Sequence, residues 1–413
     1  MYKIVIIGAG PAGMMAAIRA SQFCQDVAIL EKNGSAGKKL LLSGKGRCNL
    51  TNTCGLEDFL KRFYGNGQFL RDAFRGFFNK DLMNFFEKKG LKLKTERQLR
   101  VFPESDSSLS VLKVLLKELG SNKVKLIYDV QVKNIAIEEG RVKGVFLEDK
   151  SFIPAESVIL ATGGLSYSFT GSTGDGIRIA KNSGHRIIPC RPGLVALEVV
   201  KGDLALPEGL TLKNIRIRFS NNKKTIDSEI GELLFTDFGI SGPLVLSLSG
   251  LVADMLADKE KVFCLIDLKP ALSQEQLHNR LLREIKTNPR KNIGNLLKNL
   301  LPVSLIGVFL DGIHLKRDKK ANQITAEERQ RTVFSLKNFH LDIKCSRPME
   351  EAMITRGGVS LKDIDPKTMQ SRLVKRLYFC GEMVDVAADT GGFNLQAAFS
   401  TGYLAGESAA KSL

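Results

Sequence analysis

Three glycines, Gly8, Gly10 and Gly13, follow the apolar run Ile4–Ile7, and an acid, Glu31, closes a second apolar run, Val27–Leu30. The order is strand, G-x-G-x-x-G, helix, strand, acid, within about thirty residues. Each position has a chemical use. Gly8 permits a tight turn out of the strand, Gly10 lets the backbone approach a pyrophosphate, and Gly13 lets helix and strand pack closely. The pyrophosphate charge would rest on the N-terminus of the helix that Pro11 and Ala12 open. Glu31 can accept hydrogen bonds from an adenosine ribose. The expected ligand is therefore a dinucleotide with an unphosphorylated ribose. That disfavours NADP at this turn and does not separate FAD from NAD.

A second chemical segment follows, Gly44-Lys45-Gly46-Arg47-Cys48-Asn49. Cys48 could serve as a proton donor or nucleophile, with Lys45 and Arg47 lowering the thiol pKa. Equally, Cys48 is a small buried filler and the glycines only shape the loop. Five residues separate Cys48 from Cys54, so a redox pair of the disulfide-reductase kind is not expected. Asn49 and Asn52 are expected to satisfy loop backbone groups.

Two further turns lie far along the chain. Ala161-Thr162-Gly163 ends a buried apolar strand, and Gly381-Glu382 ends another, followed by Gly391-Gly392 at the entry of a helix. That helix N-terminus would direct N–H groups at a flavin pyrimidine edge, where reduced flavin carries negative charge. Phe393, Asn394 and Gln396 would then face the ring or the substrate, unless Phe393 packs in the core. A long dinucleotide needs contacts from distant segments, and no second G-x-G-x-x-G occurs. Both points favour FAD over NAD, leaving NADH or NADPH as a transient electron donor.

The elements that must hold these turns read as follows. Residues 1–31 form a β-α-β unit, 56–120 look mainly helical, and Val124–Ile137 with Arg141–Glu148 alternate as strands do. From about Leu194 short alternating segments appear without helices, as in a small β-domain. Residues 271–330 look helical and basic: between Gln276 and Ser335 there are twelve Lys/Arg against five Asp/Glu. The expected divisions are 1–192 and 349–413 for an interrupted doubly wound domain, 193–270 for a β-domain, 271–332 for a helical subdomain and 333–348 for a return strand.

Composition narrows the classes further. The 413 residues suffice for two or three domains, and 43% hydrophobic with 25% charged is ordinary for a globular chain. Seven scattered cysteines without C-x-x-C, and four histidines without metal-ligand spacing, point to a reducing compartment and to no metal site. The first strand leaves no room for a signal peptide, and the apolar stretch Leu296–Leu315 is broken by Lys298, Pro302, Asp311 and Gly312. A cytoplasmic protein with no membrane partner is expected. The net charge of +17 attracts polyanions, so RNA is a candidate partner. The alternative is a solvated basic surface around a small-molecule enzyme.

At these residues the chain resembles the BaiN-like (YhiN-like) flavoproteins, also labelled aminoacetone-oxidase-like. The likeness rests on Gly8–Gly13, Ser43–Asn52, Val101–Pro103, Ala161–Gly164 with Gly171–Gly176, Gly231–Thr236 with Gly239–Pro243, Gly357–Val359 and Tyr378–Gly402. It implies an α/β fold: a doubly wound FAD/NAD(P)-binding domain of the glutathione-reductase kind, with an inserted β-barrel domain and a helical subdomain. Members act on bile-acid enones, small amines or a uridine of large-subunit ribosomal RNA, so the likeness implies FAD more firmly than any substrate. Residues expected at the FAD, beyond the turns above, are Lys32, Lys39, Val130, Asp385 and Leu395. The chain departs from the family where His is usual (Asp237), where Gly is usual (Ala388), where Trp is usual (Ala397) and where Pro is usual (Ser168). Asp237 excludes an imidazole at that place, and Ala397 would leave a more open pocket if it faced the flavin. The expected chemistry is hydride transfer from flavin to an activated C=C bond, with a uridine of ribosomal RNA as one acceptor. The alternative is a small-molecule amine oxidase or enone reductase.

Overall fold

The computed structural model describes residues 1–200, 205–221, 223–257 and 260–413. The chain divides into two compact units, 1–193 with 349–413, and 194–348.

The first unit is built on parallel strands in the order Lys125–Ile127, Val27–Leu30, Tyr2–Ile7, Phe152–Leu160 and Leu377–Phe379. Ile4 pairs with Val27 on one side and Ser157 on the other, and Phe379 pairs with Leu160. These strands are near-continuous apolar runs because both faces are covered. The strand Phe152–Leu160 does two jobs. Its first residues pair antiparallel with Arg141–Leu147, which in turn pairs with Val132–Glu138, while Ala155–Leu160 join the parallel sheet. The alternating run from Val124 is thus two strands, not one. Asp129, with φ of 57°, turns the chain out of the parallel sheet and into the antiparallel meander.

Residues 56–120 are less helical than the pattern predicts. Four α-helices, Leu56–Leu60, Arg71–Gly76, Asn79–Lys88 and Ser108–Ser121, flank the strands Leu93–Thr95 and Arg100–Pro103, which form a small sheet with Thr51–Asn52. Helices Pro11–Ala20 and Phe393–Lys411 lie against one another with almost no space between backbones. A Cβ added at Gly402 would stand 2.2 Å from the Ala12 carbonyl oxygen, and one at Gly406 2.2 Å from that of Ala16. Among the described residues, no helix is long and apolar enough to cross a membrane.

The second unit is an antiparallel barrel. Six strands close into a ring in the order Thr211–Ser220, Gly231–Phe235, Gly239–Ser241, Leu197–Val199, Phe339–Ser346 and Val262–Asp267, the last pairing back onto the first. Asn214, with φ of 54°, sits at a register shift, so that Leu212 and then Ile215, Ile217 and Phe219 all point inward. Helices Gln274–Thr287, Val303–Gly312 and Ala326–Lys337 share one apolar core with the barrel, through Leu277, Leu305, Phe309 and Leu336. Capping boxes start two of them, Ser273 with Gln276 and Thr325 with Glu328.

Candidate flavin site

The glycine turn is shaped as its spacing requires. Gly8 has φ of 105°, and a Cβ there would lie 2.7 Å from the Ala161 carbonyl oxygen. At Gly13 a Cβ would lie 2.0 Å from the Gly8 carbonyl oxygen, so only glycine lets helix Pro11–Ala20 approach the strand. Gly10 differs: it caps the helix, and an added Cβ would meet nothing within 4 Å. The space over Gly10 is where a pyrophosphate would lie, facing helix N–H groups that have no intrahelical partners.

Glu31 is buried, and both carboxylate oxygens face inward groups. One accepts from the Ala9 N–H at 2.8 Å; the other accepts from the Asn33 N–H at 2.9 Å and from Asn33 Nδ2 at 2.7 Å. The carboxylate therefore ties the glycine turn to the end of the second strand, and lone pairs remain for ribose hydroxyls. The Val130 N–H donates to the Glu31 carbonyl at 3.0 Å, closing the same end of the sheet. Lys32 pairs with Asp175 at 2.8 Å. Ala161 donates to the Ile7 carbonyl, Gly163 has φ of 74°, and the buried Thr162 Oγ1 has no hydrogen-bond partner among the described residues.

Lys39 lies in a polar network that draws on four chain segments. Its Nζ donates to Ser166 Oγ at 2.7 Å and pairs with Glu382. Glu382 also accepts from Ser166 Oγ at 2.8 Å and from the Thr355 N–H at 2.7 Å. Thr355 Oγ1 accepts from the N–H groups of Leu165 and Ser166. Ser166 and Thr355 were not distinguishable in sequence, since neither belongs to a spaced motif. Gly381, with φ of 73°, sets the turn, and its N–H donates to Thr401 Oγ1 at 3.0 Å.

In the loop from Gly44 to Asn49, Cys48 takes the buried-filler alternative. Gly44, Lys45, Gly46 and Cys48 all have positive φ, so the loop is a tight coil. Cys48 is fully buried, and burial pushes its thiol up to about 12. The lowering expected from Lys45 and Arg47 does not occur. Arg47 instead turns to Glu96 and to Asp106, its Nε donating to Asp106 at 2.8 Å, and its guanidinium lies 4.2 Å over the Phe102 ring. The positive charge is spent on carboxylates and stays off the sulfur.

The C-terminal turn is closed by glycine packing and by the side chains of Asn49 and Asn52. Gly391 and Gly392 have φ of 125° and 95°, and a Cβ on Gly392 would lie 2.5 Å from the Thr51 carbonyl oxygen. With its amide oriented to donate to the Thr51 carbonyl, Asn49 accepts from the Gly392 N–H at 3.0 Å. Asn52 donates to the Gln98 and Gly391 carbonyls. Of the residues expected to face a ligand, Phe393 takes its core-packing alternative and Gln396 points into the core. Phe393 is buried edge-on against Phe59 at 4.7 Å. Asn394 clasps the preceding loop, accepting from the Ala388 N–H and donating to the Ala388 carbonyl. Gln396 is wholly buried between Thr51 and Ser400. Leu395 packs against the apolar core, and Ala397 is buried there too.

Sheet order, glycine turn and acidic strand end define the first unit as an FAD-binding Rossmann fold, and the chain as a flavin-dependent oxidoreductase. It belongs to the family described as HI0933-like protein Rossmann domain, which it matches over residues 2–408. It is 32% identical to the 3-dehydro-bile acid delta(4,6)-reductase of Clostridium scindens, over 100% of both chains. It is 28% identical to the ribosomal RNA dihydrouridine synthase of Escherichia coli, over 97% of this chain and 96% of that protein. Among solved structures, the 3-ketosteroid-delta4-(5alpha)-dehydrogenase of Rhodococcus jostii shares the fold with a TM-score of 0.55, at 15% identity over 99% of this chain and 97% of the other.

Proposed function

We propose that this protein uses FAD to saturate an activated C=C bond, with a uridine of ribosomal RNA as acceptor. The observation that carries the reading is full-length likeness to two sorts of enzyme whose names share one chemistry. A delta(4,6)-reductase and a dihydrouridine synthase each add two hydrogens across a carbon–carbon double bond conjugated to a carbonyl. Bound FAD supplies hydride chemistry at the acceptor carbon. The protein's share is to hold the pyrophosphate over Gly10, the ribose at Glu31 and the ring near Gly391-Gly392. Reduction of FAD by NADH or NADPH would proceed through a transient complex, since the sequence contains a single G-x-G-x-x-G.

The RNA reading draws on charge. Arg283, Lys286, Arg290 and Lys291 are exposed in the second unit, and so are Lys316, Arg317 and Lys320, whereas Lys319 is held by Glu328 at 2.6 Å. Exposed cations at this density neutralise phosphates. A second reading has its own support: the bile-acid reductase is the relative with 32% identity, and it acts on a small molecule. The modified nucleosides of ribosomal RNA from a deletion strain and its parent separate the two. Loss of a dihydrouridine in the deletion strain supports the RNA reading. Identical nucleosides move the substrate to a small enone.

A further inference from the structure

Saturating a C=C bond needs a proton as well as a hydride, and Cys48, the thiol read in the sequence as a candidate donor, is sealed in the core. One carboxyl in the first unit is set differently. Asp385 lies between the Gly381-Glu382 and Gly391-Gly392 turns, on a loop fixed from two sides. On one side its N–H donates to the Val359 carbonyl at 3.1 Å. On the other, the segment 62–66 runs beside 385–389: the Tyr64 N–H donates to the Ala387 carbonyl, and the Asp389 N–H to the Arg62 carbonyl. Asn66 Nδ2 donates both to the Asp385 carbonyl at 2.9 Å and to its carboxyl Oδ2 at 3.1 Å. The side chain is thereby held by an amide that no titration removes.

We propose that Asp385, clamped by Asn66 on the loop between the two flavin turns, is the proton donor of the reduction. The assignment rests on the C=C reductase reading. The step balances as follows. The acceptor takes a hydride from reduced flavin at one carbon and a proton from the Asp385 carboxyl at the other. The C=C bond becomes C–C with two new C–H bonds, the flavin is oxidised by two electrons, and Asp385 is left as carboxylate, reprotonated from solvent.

The surroundings favour a carboxyl that keeps its proton. Partial burial raises its affinity for protons above the ordinary aspartate range, and this outweighs the Asn66 hydrogen bond and the Arg356 charge, which act the other way. The charged or titratable groups facing it are Arg356, whose guanidinium lies 4.8 Å over the Tyr64 ring, and the Cys190 thiol, itself pushed up chiefly by burial. A neutral acid between two flavin-holding turns is what proton delivery to a developing carbanion requires.

The test uses the FAD-loaded protein with Asp385→Asn and Asp385→Glu. Infrared difference spectra across a pH titration, with no substrate present, read the carboxyl directly. A protonated-carboxyl band that titrates above the ordinary aspartate range and vanishes in Asp385→Asn is expected. A band that titrates within the ordinary range, or survives in Asp385→Asn, overturns the proposal. The anaerobically reduced proteins are then mixed with a uridine-bearing ribosomal RNA transcript or with a 3-dehydro-Δ4,6 bile acid. Reoxidation of Asp385→Asn is expected to slow by about a hundredfold or more, with partial recovery in Asp385→Glu. Reoxidation by ferricyanide, which needs no proton donor, is expected to match the parent. Equal slowing with ferricyanide shows damage to the flavin site and overturns the assignment. If the parent protein reduces neither acceptor, the C=C reading itself fails, and the infrared result stands apart from it.

Discussion

The two units differ in how much they rely on glycine, although Gly239 also sets backbone on backbone, against Leu197, in the second. In the first, backbones touch backbones through glycine: Gly8 on Ala161, Gly13 on Gly8, Gly392 on Thr51, Gly402 on Ala12. Polar side chains there are turned inward and tied to distant segments, as Glu31, Lys39 and Glu382 are. In the second, a ring of short strands is filled by alternating apolar residues, and the helices beside it carry cations on their exposed face. The contrast teaches where a sequence reveals function. A cofactor recognised by backbone needs glycines at fixed spacing, and these stand out in one chain. A substrate recognised by surface charge or cavity shape leaves no such spacing.

The largest effects are expected from breaking the backbone contacts. Gly402→Val places a branched side chain where 2.2 Å is available against rigid backbone, and overpacking of that kind costs about 1–3 kcal/mol or more. A lower thermal midpoint of the apoprotein, or aggregation on expression, is the expected result. Gly10→Val sharpens the comparison, because that glycine faces open space. It should fold with a near-parental midpoint and yet be colourless, since the pyrophosphate path is blocked. Normal FAD content in Gly10→Val would move the cofactor away from this turn.

Smaller effects are expected in the second unit. Replacing Lys316, Arg317 and Lys320 by glutamate should leave FAD content unchanged while weakening binding to a ribosomal RNA transcript. The log–log salt slope should fall by about 0.7 per lost phosphate contact, as for single strands. An unchanged affinity and slope would leave these cations as a solvated face. The smallest effect is at Cys48. Its thiol stays protonated well above the usual range because burial disfavours the thiolate. Alkylation of Cys48 in the native protein should therefore not rise with pH over roughly pH 6 to 10. Rapid alkylation at the low end of that window would restore it as a reactive group.

Several of these assignments were legible in the sequence and others were not, for physical reasons. The turn at Gly8–Gly13 and the acid at Glu31 were visible because each position answers a local steric or hydrogen-bonding demand. Sequence leaves Cys48 open between a reactive thiol and a buried filler because the nearest charges along the chain, Lys45 and Arg47, are not the nearest in effect: Arg47 turns to Glu96 and Asp106, far away in sequence. Gln396 was misplaced because helix periodicity does not tell which face meets Thr51 and Ser400. Ser166, Thr355 and Asn66 matter only through three-dimensional partners. The register shift at Asn214 was likewise invisible, since left-handed asparagine turns share their composition with ordinary strand residues.

The central claim is that the flavin held by the first unit passes a hydride to a carbon–carbon double bond. The most direct measurement is anaerobic mixing of the photoreduced FAD-loaded protein with the ribosomal RNA transcript and, separately, with the 3-dehydro-Δ4,6 bile acid. Flavin absorbance is followed, and the acceptor is analysed by mass spectrometry. The predicted result is return of oxidised-flavin absorbance with one of the two, and a product heavier by two hydrogens. Flavin that stays reduced with both acceptors, or reoxidises with no mass gain, would contradict it.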